Sequence, residues 1–158
     1  MDEKTLEAIV KTVAQQFEPL DDMTLAVARR LSEKVKEKAK EMGVNAVVAV
    51  SNKAAHPVLV ECMDDSFIAS YDIALNKAYT VVALKMPTSE LKKLSQPGGS
   101  LYGIQFTNQG KIVIFGGGEP LYNRKGELIG GLGVSGGTEQ QDTALAQYGK
   151  EAFKQSGY

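Results

Sequence analysis

Apolar residues recur at three- and four-residue steps from residue 2 to about residue 17, which is the spacing of an amphipathic helix. Asp2 is placed to cap the first turn, and Pro19 ends the helix because its ring blocks further helical hydrogen bonding. The predicted apolar face consists of Leu6, Ile9, Val10, Val13 and Phe17. The pattern therefore predicts a short helix ahead of the rest of the chain.

A longer amphipathic helix is predicted over 22–42, and Gly43 suits the left-handed position that follows a helix. Its apolar stripe consists of Ala28, Leu31, Val35, Ala39 and Met42. Two valine-rich segments, 44–50 and 57–61, then favour strands. Because residues 51–55 read as a turn, the two strands are expected to form a hairpin.

A third helix is predicted to begin after Asp64 or Asp65, either of which is able to cap it, and to end just before Pro87. Its apolar face is predicted to be Ile68, Tyr71, Leu75, Ala78 and Val82. Residues 88–94 are expected to add one more helical turn. This helix is mainly apolar, with Asp72 and Lys77 as polar interruptions.

Glycine divides the chain, because thirteen of the sixteen glycines lie between Gly98 and Gly137. That half is therefore predicted to contain short strands joined by tight turns. The strand candidates are 101–107, 111–115, 120–122 and 128–135. Thr138 and Gln141 form a capping box that begins a last helix through about Phe153. Short connections favour an α+β fold, with an antiparallel sheet and helices packed against it.

Composition narrows the class of protein. The 158 residues suit one domain, and 18 basic against 19 acidic residues leave a net charge of −1, which gives no general attraction to nucleic acid or anionic membrane. The longest apolar run, residues 46–50, is far shorter than the ~20 residues of a membrane helix. The amino-terminal residues do not read as a secretory signal. One cysteine cannot form an internal disulfide, so nothing favours an oxidising compartment and a cytoplasmic protein is predicted. One histidine and one cysteine cannot form a closed zinc site of soft ligands.

The strongest local signal for chemistry is the segment 133–138, where a strand passes through glycines into a capped helix. Free backbone N–H groups at a helix start attract a phosphate or a carboxylate. The alternative is that the glycines only permit a sharp turn, and the spacing matches neither a P-loop nor a dinucleotide fingerprint. The glycines at 116–118 carry the same two alternatives, a bend in the sheet or close approach of a ligand.

The single histidine, His56, has three readings: a general base, a haem ligand or a surface residue. A nucleophilic pair with Cys62 is excluded, because six residues of strand separate the two by about 20 Å at ~3.3 Å per residue. Asp72 is expected on the solvated side of its helix. For Lys77 two placements remain, one in a pocket and one facing solvent. No set of acid, base and nucleophile emerges, so an enzyme is the least favoured class.

Several segments together resemble the GlcG/HbpS family, which includes haem-degrading proteins and the carboxyl-terminal domain of PduO-type proteins. The segments that carry the resemblance, with the family pattern in parentheses, are 52–57 and 61–66 (D-x-G-G-H and R-M-D-G-A), 73–80 (I-A-x-x-K-A-x-T), 117–121 (GG-x-P-[IL]), 130–137 (G-x-x-GVSGG) and 141–142 (x-D). The first two depart from the pattern at 54–55, 62 and 65–66. They occur in the family's order and cover roughly residues 21–153.

The resemblance implies a profilin-like fold with a five-stranded antiparallel sheet, assembly into homo-oligomers, and haem or a related tetrapyrrole as the ligand of some members. It also implies a link to cobalamin and diol utilisation. The adenosyltransferase activity of PduO belongs to a separate amino-terminal domain and is not expected here. The family's haem-ligating histidine lies on the first conserved helix, and the corresponding residues 31–42 contain none. His56 is therefore the candidate ligand of a haem iron.

The chain is accordingly divided into an amino-terminal helix, 1–18, and a single GlcG/HbpS-like domain, 19–158. The helix resembles the short segments that direct cargo into bacterial microcompartments, which makes a microcompartment shell its candidate partner through residues 2–17. The alternative is packing on its own domain or across a dimer, which is slightly favoured.

The function expected from the sequence is an accessory protein that binds a small anionic ligand or a tetrapyrrole, with a scaffolding homo-oligomer as the alternative. Neither a membrane nor a nucleic acid is expected as a partner, and the location is the cytoplasm or the interior of a microcompartment. The residues assigned to the ligand are His56, Lys77, Gly117, Gly118, Glu119, Pro120, Ser135, Gly136, Gly137 and Thr138.

Overall fold

The chain forms a four-stranded sheet with helices on both faces. The computed structural model describes residues 1–16 and 18–158, without the side chains of 10, 11 and 14–16, so the predicted helical positions Val10 and Phe17 lie outside the described side chains. The helices are α1 (Glu3–Gln16), α2 (Leu25–Glu41), α3 (Ile68–Ala83), α4 (Thr88–Leu94) and α5 (Glu139–Gln155). The strands are β1 (Val47–Asn52), β2 (Pro57–Cys62), β3 (Gly118–Tyr122) and β4 (Leu128–Ser135).

The sheet is antiparallel throughout, in the order β2-β1-β4-β3. The predicted hairpin of β1 and β2 is confirmed, and β1 then pairs with the much later strand β4 along its whole length. Val47 faces Ser135 at one end of that pair, and Asn52 faces Gly130 at the other. The expected fifth strand is wrong, because the described residues form a sheet of four.

Each face of the sheet has its own hydrophobic layer, since alternate residues of a strand point to opposite faces. Val48 and Val50 of β1 lie in the main core, to which α2 and α5 contribute their apolar stripes. Val47 and Ala49 lie on the other face, in a smaller cluster with Ala74 of α3. The sheet is therefore buried between two helices on one side and one helix on the other.

Bare glycines in β4 allow α3 to lie unusually close to the sheet. A Cβ atom on Gly133 would lie 2.0 Å from the carbonyl oxygen of Ala74, and one on Gly131 would lie 2.5 Å from that of Ala78. These are backbone atoms of a helix, so no side-chain rotation relieves the overlap. The two glycines and the two facing alanines thus set the distance between helix and sheet.

The segment between α4 and β3 contains turns rather than the two predicted strands 101–107 and 111–115. Gly103 and Gln109 adopt left-handed backbone angles, with φ of 87° and 58°, and these interrupt any extended conformation. Residues 104–106 and 108–110 form short 3₁₀ turns. The backbone at 111–113 is hydrogen-bonded by the Thr80 hydroxyl of α3 instead of by a strand.

The third helix begins later than predicted, and its buried face includes the predicted Ala78 and Val82 but not Ile68 and Tyr71. Phe67 occupies its N-cap position without a side-chain cap, so neither Asp64 nor Asp65 caps it. Ile68, predicted to be apolar core, is 97% exposed, whereas Lys77 is completely buried. Against a glycine-lined strand the small and slender side chains of α3 pack best, and the large ones are left outside.

Three other helix signals are confirmed. Gly43 has the left-handed φ of 69° expected after α2, and α4 provides the predicted additional helix. The capping box of α5 is complete, because the Thr138 side chain accepts the Gln141 amide and the Gln141 side chain accepts the Thr138 amide. These signals depend on residues close in the chain, which is why they could be interpreted locally.

The described apolar side chains of α1 face solvent. Leu6, Ile9 and Val13 are 49%, 45% and 45% exposed. These three side chains therefore do not pack on their own domain, and packing across a dimer stays a prediction. In the part of the chain that the structure describes, no helix is both long enough and apolar enough to cross a membrane.

We expect Gly133→Ala to destabilise the fold by about 3 kcal/mol, because the added methyl overlaps the α3 backbone and forces the helix away from the sheet. Gly43→Ala is the matched control, since its Cβ would meet open space and only the left-handed backbone opposes it, at about 1 kcal/mol. Urea unfolding of both variants measures the difference. Equal losses would contradict the close-approach argument.

Candidate functional site

The only fully buried charged side chain among the described residues is Lys77. Its ammonium donates a hydrogen bond to the carbonyl oxygen of Val134 at 2.7 Å and lies 3.3 Å from Oδ2 of Asp142. It also lies 5.0 Å from the centre of the Phe115 ring. The lysine of α3 thereby connects β4 to the first turn of α5.

Burial acts against both charges of this pair. Removal from water lowers the pKa of Lys77, although Asp142 opposes the change, and it raises the pKa of Asp142, although Lys77 opposes it. Each charge is therefore tolerable only while the other is present. The pair is a structural connection whose two halves depend on each other.

The glycine loop before β3 fits around Lys77. Gly117 has a φ of 114°, and a Cβ there would lie 2.5 Å from the Lys77 nitrogen. The amide of Gly118 donates to the Thr88 hydroxyl at 2.9 Å. The amide of Gly116 donates to the Glu139 carboxylate at 3.0 Å. These glycines let the backbone pass beside a buried lysine, and the Gly116 and Gly118 amides have partners inside the chain.

The amides predicted to be free at the start of α5 are also paired. The amide of Gly137 donates to Oδ1 of Asp142 at 2.8 Å, and that of Thr138 donates to Oε1 of Gln141 at 2.9 Å. The prediction of an exposed anion site is therefore wrong for these two amides. A helix start does attract a negative charge here, and the chain supplies it from its own Asp142.

The other predicted ligand residues are dispersed. Ser135 is buried and donates to the Ser70 hydroxyl at 3.0 Å. His56 is exposed in the turn before β2, near the Asn52 end of β1, whereas Ser135 pairs with Val47 at the opposite end. Five residues of strand separate these ends by about 17 Å. His56 therefore does not join Lys77 and the glycine loops in one site, and ligand binding by any of these residues stays a prediction.

One large cavity lies between α2 and the edge strand β2, and we call it the α2–β2 groove. Its volume is about 640 Å³. Its lining residues are Glu33, Lys36, Glu37, Lys40, Asn45, Glu61, Cys62, Met63, Asp64 and Asp65. Five carboxylates against two ammonium groups make it acidic, and Lys36 is already paired with Glu61 at 2.9 Å. This groove repels anions.

A second cavity of about 540 Å³ lies between the end of β3 and the end of α5, and we call it the β3–α5 pocket. Its lining residues are Tyr122, Asn123, Arg124, Gly126, Lys150, Phe153, Lys154 and Tyr158. Three are aromatic and three are cationic, and none is acidic. Of the predicted ligand residues, Glu119 approaches it indirectly, since its buried carboxylate pairs with Lys150 at 2.9 Å.

The aromatic wall of this pocket is held in place by distant parts of the chain. The Tyr158 ring stacks on Phe153 with centres 5.2 Å apart. Its hydroxyl accepts a hydrogen bond from Arg30 of α2 at 3.0 Å, and its carbonyl accepts one from the Arg124 amide at 2.7 Å. The wall is therefore formed before any ligand arrives, which lowers the entropy cost of binding.

The sequence interpretation missed the β3–α5 pocket. One signal was present, because Lys150 and Lys154 are four residues apart and so share one face of α5. The third cation, Arg124, lies in a turn 26 residues earlier than Lys150, and only the fold brings it to that face.

Comparison with known proteins gives one family and several close relatives. Residues 23–151 match the model of the family described as haem degrading protein HbpS-like. The chain is 40% identical over 135 residues to the corrinoid adenosyltransferase PduO of Salmonella typhimurium, covering 85% of this chain and 38% of that protein. The crystal structure of Klebsiella pneumoniae protein ORFY superposes with a TM-score of 0.82 at 42% identity, covering 87% of this chain and 94% of that one. A crystal structure of a PduOC:heme complex superposes with a TM-score of 0.79 at 38% sequence identity, covering 83% of this chain and 94% of that one.

We expect Asp142→Asn to cost about 3–5 kcal/mol of unfolding free energy, because it leaves the Lys77 charge buried without its partner. The double variant Lys77→Met, Asp142→Asn should lose clearly less than the sum of the two single losses, since no buried charge remains. Chemical denaturation of the four proteins completes the cycle, with Lys93→Met as an exposed control. Additive losses would refute the coupling.

Proposed function

The chain belongs to the HbpS-like family of haem degrading proteins, and from this premise we propose that it binds haem or a related tetrapyrrole in the β3–α5 pocket. The observation that carries the proposal is the composition of that pocket, with three aromatic rings and three cations around about 540 Å³. A haem is a flat apolar macrocycle with two carboxylates on one edge. Such a ligand needs apolar walls and a cationic rim, and ligand pockets usually measure about 300–1,000 Å³.

The residues present fit the ligand. Tyr122 and Tyr158 offer aromatic surface for the macrocycle, with the buried Phe153 ring stacked behind Tyr158. Arg124 and Lys154 are placed to pair with its carboxylates. The phenol of Tyr122 is a ligand type known for haem iron. When bound, haem supplies a redox-active iron; the chain's own groups bind and orient the macrocycle and shield one face from water.

The α2–β2 groove is less suitable, although it is larger. Its five carboxylates oppose the negative charge of the ligand, and an electrostatic mismatch of this kind disfavours binding more than added volume favours it. Cys62 and Met63 in that groove are also haem ligand types. The charge of the walls, rather than the ligand types, separates the two cavities.

A second candidate function is that of a scaffolding homo-oligomer. It is favoured by the exposed apolar residues at the start of α3, where Phe67 and Ile68 are 70% and 97% exposed and Tyr71 is 47% exposed. Ile68→Asp should then lower the molecular mass measured by light scattering. An unchanged mass would remove this surface from the interface.

We also propose that α1 docks outside the domain, on the shell of a bacterial microcompartment, with the protein located in the cytoplasm or inside that compartment. The exposed stripe of Leu6, Ile9 and Val13 supports this role, because an amphipathic helix can lay such a face in an apolar groove. A link to diol or cobalamin metabolism is part of the same proposal.

We expect saturable hemin binding, followed by absorbance in the Soret region. Tyr122→Ala should weaken it about tenfold, because one aromatic wall is lost. His56→Ala is the matched test of the alternative ligand and should leave the affinity unchanged. Loss of binding in His56→Ala alone would contradict placement in the β3–α5 pocket.

Deleting residues 2–17 should change the melting temperature by less than about 2 °C and leave hemin affinity intact, since the described apolar side chains of α1 are exposed. The deletion should abolish co-purification of the protein with intact microcompartments. A large loss of stability would instead indicate that α1 packs on the domain.

A further inference from the structure

We infer that the β3–α5 pocket recognises its ligand through the carboxylates rather than through iron, so that iron-free dicarboxylate porphyrins bind as well as haem. This inference rests on the proposed function and assigns its ligand class. It follows from three features of the pocket: which iron ligands it lacks, which cations it leaves unpaired, and how its phenols are engaged.

The usual ligands of haem iron lie elsewhere. Among the described residues that line the pocket there is no histidine, cysteine or methionine. His56 is exposed in the β1–β2 turn, and Cys62 and Met63 line the α2–β2 groove. That groove lies beside β2 and the pocket beside β3, which are the opposite edges of the sheet. Three strand spacings, about 14 Å, therefore separate them.

Two of the three pocket cations are available to a ligand. Lys150 pairs with Glu119 at 2.9 Å, so its charge is already balanced. Among the described residues, no Asp or Glu carboxylate lies within 4.0 Å of the side-chain nitrogen atoms of Arg124 or Lys154. Two free cations match the two carboxylates of a haem or a porphyrin. The guanidinium of Arg124 also suits a planar carboxylate, which it can hold with two parallel hydrogen bonds.

The phenols of the pocket add little that is specific for iron. The Tyr158 hydroxyl already accepts a hydrogen bond from Arg30, and its ring is stacked on Phe153. Tyr122 is thus the single lining residue whose oxygen remains for a metal, and it lies 37% exposed at the end of β3. Its ring can serve a porphyrin equally well with or without a metal, because stacking depends on the macrocycle.

The chemistry of recognition defines the ligand class. A flat tetrapyrrole with two free carboxylates satisfies both the rings and the cations, whatever its central atom. Esterified porphyrins keep the flat ring but lose the charges. Cobalamin carries amides in place of free carboxylates on its corrin ring, so it should be rejected even though some relatives of the chain are corrinoid enzymes.

Four ligands test the inference on the full chain by equilibrium titration: hemin, protoporphyrin IX, protoporphyrin IX dimethyl ester and cobalamin. We expect hemin and protoporphyrin IX to bind within about threefold of each other. The dimethyl ester and cobalamin should bind at least about tenfold more weakly, which is the loss expected when charged hydrogen bonds are removed. Porphyrin fluorescence and Soret absorbance provide the readouts, neither of which depends on catalytic activity.

Variants separate the carboxylate contacts from the metal. Arg124→Gln with Lys154→Gln should weaken hemin and protoporphyrin IX together, by about tenfold or more. Lys4→Gln with Lys93→Gln removes the same net charge from exposed positions elsewhere and is the matched control. Tyr122→Phe keeps the ring and removes the oxygen, so it should leave the ratio of the hemin affinity to the protoporphyrin IX affinity unchanged. Melting temperatures of all variants verify that they are folded.

The outcomes distinguish two failures. If hemin binds but protoporphyrin IX does not, or if Tyr122→Phe weakens hemin alone, iron anchors the ligand in the pocket and this inference is overturned while the proposed function stands. The same holds if the ester or cobalamin binds as tightly as protoporphyrin IX, or if the charge variant binds like its control. If His56→Ala weakens hemin, the ligand lies outside the pocket and both the inference and the proposed function fail. If neither hemin nor protoporphyrin IX binds, the proposed function itself fails.

Discussion

The close approach of α3 to β4 is the contact on which the rest of this structure depends. Gly131 and Gly133 have no side chains to hold the helix off, so the backbone of α3 at Ala74 and Ala78 lies against the strand. At that distance Lys77 reaches the carbonyl of Val134 and the carboxylate of Asp142. A buried charge of this kind stabilises one arrangement of the helices, because any other leaves it unpaired.

This packing also explains why the glycine motifs do not form an open anion site. The carboxylate that balances Lys77 accepts the Gly137 amide as well, so one side chain satisfies both the lysine and the helix start. The motif residues thus join α3, β4 and α5, and the pocket proposed for the ligand lies instead at the edge of the sheet. There the β3–α5 pocket combines aromatic side chains with three cations, of which only Lys150 is ion-paired with a carboxylate, that of Glu119, in the described part of the chain.

The two cavities show why a site is harder to read from a sequence than a fold. His56 is the candidate iron ligand by residue type, but it lies in a turn remote from the glycine loops. The pocket instead combines a turn at Arg124, the end of α5 at Lys154 and the final tyrosine of the sequence, Tyr158. Which of the pocket's cations can bind a ligand depends on their ion pairs within the chain. Glu119 neutralises Lys150 but not Arg124 or Lys154. An ion pair between residues far apart in the chain depends on the tertiary structure, so the spacing of residues along the sequence does not predict it.

The sequence by itself determined the features set by near neighbours in the chain: the β1–β2 hairpin, the left-handed Gly43, the capping box of α5 and the family signature. These are local because hydrogen bonds over a few residues decide them. Only the tertiary structure decided that residues 101–115 form no strand and that Thr80 bonds the backbone of Lys111 and Val113. It also decided that Lys77 is buried and Ile68 exposed, and that Asp142 accepts the Gly137 amide at the helix start. Each of these three features depends on a contact with a group far away in the chain, because buried polar groups need hydrogen-bond partners and local spacing does not specify them.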